Sequence, residues 1–76
     1  MPGSNKSVHT VWREPNWVNI VEGDKSPLSM HASQDEAIAH GRALARSAKV
    51  EHVIHRPDHT IRERNSYGGD PRDVPG

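Results

Sequence analysis

Apolar and polar positions along this chain change period twice. From Val8 to Val21 the pattern is strand-like. His9-Thr10-Val11-Trp12 alternates among β-formers, Arg13-Glu14-Pro15-Asn16 carries turn chemistry, and Trp17-Val18-Asn19-Ile20-Val21 reads as a second strand. With residues 13–16 as the loop, Trp12 and Trp17 oppose each other as a cross-strand aromatic pair. Glu22 to Pro27 is a loop, and Leu28 to His31 a short third strand. At Ser33 the period becomes helical. Ala37, Ile38, Gly41, Leu44, Ala45 and Ala48 fall on one stripe, with Ile38 and Leu44 as its anchors. Ser33 caps the helix and Glu36, three residues on, completes a capping box. Asp35 and Glu36 sit at the positive end of the helix dipole, Arg46 and Lys49 at the negative end. Val50 to Arg56 and Thr60 to Arg64 then return to strand periodicity around the turn Pro57-Asp58-His59.

The predicted fold is α+β: a small antiparallel sheet in the order β-β-β-α-β-β, with one helix packed on one face. Residues 7–67 form a single domain, and the polar, breaker-rich ends, 1–6 and 68–76, are expected to be flexible.

One helix covers one sheet face, so the other face is the functional question. In the second strand Val18 and Ile20 point one way and Trp17, Asn19 and Val21 the other. Val11 opposes Trp12 and Val8 in the first strand, and Val53 opposes Ile54 in the fourth. Both faces therefore carry apolar groups, unlike a half-solvated antiparallel sheet. The expectation is a contact surface opposite the helix that pairs with a second copy or another protein, with Trp12, Trp17, Val21 and Ile54 at its apolar centre. Arg62 and Arg64, placed on one face at i and i+2, form its rim together with Arg56 and His52.

Composition narrows the function. Seventy-six residues make one small domain, and a core of this size rarely supplies more than roughly 3–5 kcal/mol without a staple. There is no cysteine, so disulfides and thiolate metal sites are excluded, and association with a second copy is the expected source of added stability. Ten basic and ten acidic residues balance, which weighs against a dedicated nucleic-acid binder. No apolar run approaches the roughly 20 residues that span a bilayer, and residues 1–6 lack the apolar core of a signal peptide. A cytoplasmic protein is expected, with no membrane partner.

The chain resembles a family of short bacterial proteins of unknown function. The likeness is carried by Trp17-Val18, Glu22-Gly23, Ala37-Ile38, Ala43 to Ala45, Val53-Ile54-His55, the Asp58 turn, Ile61, and Ser66-Tyr67-Gly68 with Asp70-Pro71. It implies a small α+β fold and no activity. The hairpin turn departs from the family's Asp-Gly, because His59 follows Asp58 and must accept the left-handed conformation or force another turn.

Six histidines in so short a chain raise a metal site. His52, His55 and His59 are spaced by three and four, and His31 and His40 add two more. On a strand, however, His52 and His55 point to opposite faces and His59 lies beyond the strand end, so the set reads as surface histidines at strand ends, with no metal or cofactor. Neither a nucleophile–base pair nor paired carboxylates emerges, and no phosphate, dinucleotide or calcium motif is present. The expectation is a non-enzymatic interaction module, homodimeric through the face opposite the helix. The alternative is a nucleic-acid-binding accessory protein stacking bases on Trp12 and Trp17 and meeting phosphates with Arg62 and Arg64.

Overall fold

The computed structural model describes residues 6–67; the expectations for the first five and last nine residues lie outside them. Elements follow in the order β1 (Val8–Arg13), β2 (Asn16–Val21), β3 (Ser29–His31), α1 (Gln34–Ala48), β4 (Glu51–His55) and β5 (Ile61–Ser66). The five strands form one sheet, ordered β3-β2-β1-β4-β5, with α1 on one face. The predicted α+β class and element order hold. The sheet is not wholly antiparallel: β1, at its centre, runs parallel to β4 over Val8↔His52, His9↔Val53 and Thr10↔Ile54. Because α1 carries the chain across the sheet between β3 and β4, the last hairpin is delivered beside β1 in the same direction.

Local chemistry accounts for the element ends. A two-residue connection, Glu14-Pro15 with a cis peptide bond, joins the paired Arg13 and Asn16. Gly23 takes φ 87° in the loop after β2. Ser33 is the N-cap, and its hydroxyl accepts from the Glu36 amide at 3.2 Å. Lys49 ends the helix in the left-handed conformation (φ 59°), and the Val50 amide returns to the Ala45 carbonyl at 3.0 Å. His59 does adopt φ 72° in the β4–β5 turn. There Asp58 Oδ1 accepts from the Thr60 amide and hydroxyl, which hold the Asp58 carboxyl below its ordinary range.

Ala37, Gly41 and Ala45 are the buried residues of α1, while Ile38 and Leu44 are half-buried. Small side chains let the helix lie close on the sheet. At one end Val8, Ala45 and Val50 pack together, flanked by Leu44 and Tyr67.

Candidate functional site

Beneath the helix the sheet is polar at its centre. Thr10 on β1, Asn19 on β2 and His52 on β4 are fully buried, and Gly41 sits above them. Thr10 Oγ1 donates to Asn19 Oδ1 at 2.5 Å, and Asn19 Nδ2 donates to the Ala37 carbonyl at 3.0 Å and to Ser29 Oγ at 3.1 Å. Having given its only proton to Asn19, the Thr10 hydroxyl must accept from His52 Nε2, 2.7 Å away. His52 is therefore the neutral Nε2–H tautomer, and its buried Nδ1 has no partner. Burial pushes His52 below the ordinary histidine pKa, and Arg42 adds to the shift. A hydrogen-bonded ladder thus crosses four strands from β3 to β4, anchored to the helix through one carbonyl.

The helix-free face is apolar at its centre. Register aligns Met30, Val18 and Val11 in one row and Ile20, His9, Val53 and Arg64 in the next. Val18, Ile20 and Val53 are buried, whereas the outer residues Met30 and Ile61 are 60% and 45% exposed. Between them His9 and His55 meet ring to ring, with His9 Nδ1 2.9 Å from His55 Nε2 and the ring centroids 5.1 Å apart. Burial lowers the His55 pKa, with His9, His59 and Arg64 adding to it, against the raising effect of the His59 carbonyl.

These positions correct the expected face. Trp12 and Trp17 do pair, at 5.4 Å between centroids. By strand alternation, though, Trp12, Trp17, Val21 and Ile54 share the face of Thr10, Asn19 and His52, which is the helix side. Ile54 is only 1% exposed. The physical reason is that both sheet faces carry apolar groups, so hydrophobicity alone does not choose between them, and α1 lies over Thr10, Asn19 and His52 with Trp17 and Ile54 buried on the same side.

Arg62 and Arg64 are also separated. The β4–β5 register shifts between Ile54 and His55, leaving Arg62 as the extra residue. Arg62 Nη1 donates to Gln34 Oε1 at the start of α1, at 3.0 Å, and Gln34 Nε2 in turn donates to the His55 carbonyl at 3.1 Å. Arg64 instead lies 3.7 Å from Glu51. The Trp and Arg platform that nucleic-acid binding calls for is therefore not assembled on the helix-free face.

His52 is likewise not a surface group. It does point away from His55, as alternation requires, but into the buried ladder. His9, which no spacing rule linked to His55, takes its place beside that ring from a strand far earlier in the chain. A polar residue at each of Thr10, Asn19 and His52, on strands otherwise rich in β-branched residues and opposite a mid-helix glycine, is the sequence signal for the ladder. Among the described residues, no helix is long and apolar enough to cross a membrane, and no three His, Asp or Glu side chains are grouped to hold a metal ion.

No curated protein and no solved structure matches this chain. The family model described as an uncharacterized protein conserved in bacteria (DUF2188) matches residues 8–67, spanning all six elements, and the chain belongs to that family.

Proposed function

We propose that this protein is a non-catalytic interaction module that pairs with a second copy of itself through the helix-free face of the sheet. The observation that carries this reading is the apolar layer on that face, which ends at both edges in open side chains, Met30 and Ile61. A second copy fits for two reasons. Apolar surface meets apolar surface across a two-fold axis, and a chain of zero net charge does not repel its copy. An ordinary interface buries about 800 Å² per partner. That is about one-sixth of this chain's 4881 Å² surface, on the scale of one sheet face. Support for a non-catalytic role comes from Thr10 and His52. Their hydroxyl–imidazole contact is fully buried, and the hydroxyl proton is committed to Asn19.

Sedimentation equilibrium from low to high micromolar concentration tests the reading. The native chain is expected to give a dimer mass, and Met30→Glu and Ile61→Glu, both at exposed positions, to shift it to monomer. A native chain that stays monomeric throughout overturns it.

A further inference from the structure

The His9–His55 contact on the helix-free face poses a chemical problem of its own. His9 Nδ1 faces His55 Nε2 at 2.9 Å. The outer nitrogens also have partners: His9 Nε2 lies 3.5 Å from Glu22 Oε1, and His55 Nδ1 lies 3.4 Å from the His59 carbonyl oxygen. A carboxylate and a carbonyl can only accept, so each outer nitrogen can serve as N–H toward its long contact. The 2.9 Å inner contact is an N–H···N hydrogen bond, in which one ring turns its proton inward. When both rings carry their protons on the outer nitrogens instead, the two inner lone pairs are left for one electrophile to share.

We propose that His9 and His55 form a binding site for a divalent transition-metal ion of the imidazole-preferring class, with Zn²⁺ as the reference case, held through His9 Nδ1 and His55 Nε2. Imidazole ligands to metals characteristically give their other N–H to a carboxylate or a backbone carbonyl. This pair has one of each already in place. A tetrahedral ion with Zn–N bonds of about 2.05 Å sets its two nitrogens about 3.3 Å apart, so these must separate by about 0.4 Å. The rings can do so by turning in place. Two imidazoles on a tetrahedral ion have centroids about 5.2 Å apart, against the 5.1 Å found.

Both side chains are partly exposed in the single chain, so an ion can reach them while this face is uncovered, and solvent can fill the remaining positions. Arg64, whose charge acts on His55, lies 3.7 Å from Glu51. The other histidines lack this arrangement. His31 and His40 touch ring to ring at 5.0 Å, with His31 Nε2 turned to Ser29 Oγ at 2.9 Å, and His52 is buried on the opposite face.

The test is calorimetric titration of untagged full-length protein with Zn²⁺ near pH 7.5, above the ordinary histidine pKa. Saturable binding is expected in the Met30→Glu variant, whose face stays open, and binding no tighter than that in the native chain, where self-association covers the same face; the comparison separates this site from self-association. His9→Gln and His55→Gln should each weaken it by at least about tenfold, while His31→Gln leaves it unchanged. Histidine ring ¹⁵N resonances of the native protein give a readout that needs no variant: Zn²⁺ should move those of His9 and His55 first. The absence of binding at millimolar Zn²⁺, equal binding after His9→Gln, or first shifts at His31 and His40 would overturn the proposal.

Discussion

The two faces of the sheet invert the usual division of labour. The covered face is polar at its centre, where Thr10, Asn19 and His52 meet beneath Gly41. The helix-free face is mainly apolar, with Val18, Ile20 and Val53 buried, and His9 stands between Ile20 and Val53 on the central strand. In most α+β domains apolar burial chooses the face on which the helix lies. Here hydrogen bonding and close approach act beside the burial of Val8, Trp17 and Ile54 on the same side. An apolar contact tolerates sliding, whereas a donor–acceptor ladder permits one placement, so the polar face sets where α1 sits and the apolar face remains for association.

The largest test of this contrast is Gly41→Ala. In an exposed helix the change stabilises by about 1 kcal/mol. At this site the added Cβ stands 2.7 Å from His52 Nε2 and 2.9 Å from Thr10 Oγ1, and closer still to Asn19 Oδ1. Those atoms are buried and mutually bonded, so a net loss of about 2–3 kcal/mol is expected, read as a lower urea midpoint. A midpoint at or above the native value would show that the helix is free to rise.

Next comes a matched pair of nearly isosteric changes on the two faces. Thr10→Val strands the His52 Nε2–H and Asn19 Oδ1 in buried surroundings and should cost about 2 kcal/mol. Val11→Thr, on the half-buried opposite side, should cost less than about 1 kcal/mol. Equal losses in urea unfolding would erase the distinction between the faces.

The smallest effect is acid sensitivity. His52 has a lowered pKa in the folded chain, whereas unfolding restores the ordinary value near 6.5. Below that pH the unfolded state binds more protons. The His52 contribution is therefore fully present above pH ~6.5 and is lost as pH falls, by at most about 1.4 kcal/mol per pH unit. Urea midpoints at neutral and mildly acid pH should fall in the native chain and fall less in His52→Gln. An identical pH dependence in both would remove His52 from the account.

The helix was legible in the sequence because its signals are local: the Ser33 cap, the acidic first turn and the small-residue stripe all lie within one segment. So were the strands and the Trp12–Trp17 pairing, since turn chemistry aligns residues a few positions apart. The face was not legible. β2 and β4 carry apolar groups on both sides, and what decides between them is a contact of Gly41 with residues from three separate strands. The His9–His55 pair and the parting of Arg62 from Arg64 were hidden for related reasons. One spans two non-consecutive strands, and the other depends on a single extra residue in a ladder.

The parallel pairing of β1 with β4 has a consequence for the order in which the chain is made. Of the five strands described, β1 is made before the others and lies at the centre of the finished sheet, yet only β2 can pair with it until α1 and β4 follow. Until then one side of β1 is an open edge, with Thr10 lacking its imidazole partner. Such edges invite pairing with other chains, and closing a distant parallel pair is slow compared with forming a hairpin. The nascent chain is thus most exposed to aggregation in the interval before Val50 to His55 appear, when its oldest strand still waits for one of its youngest.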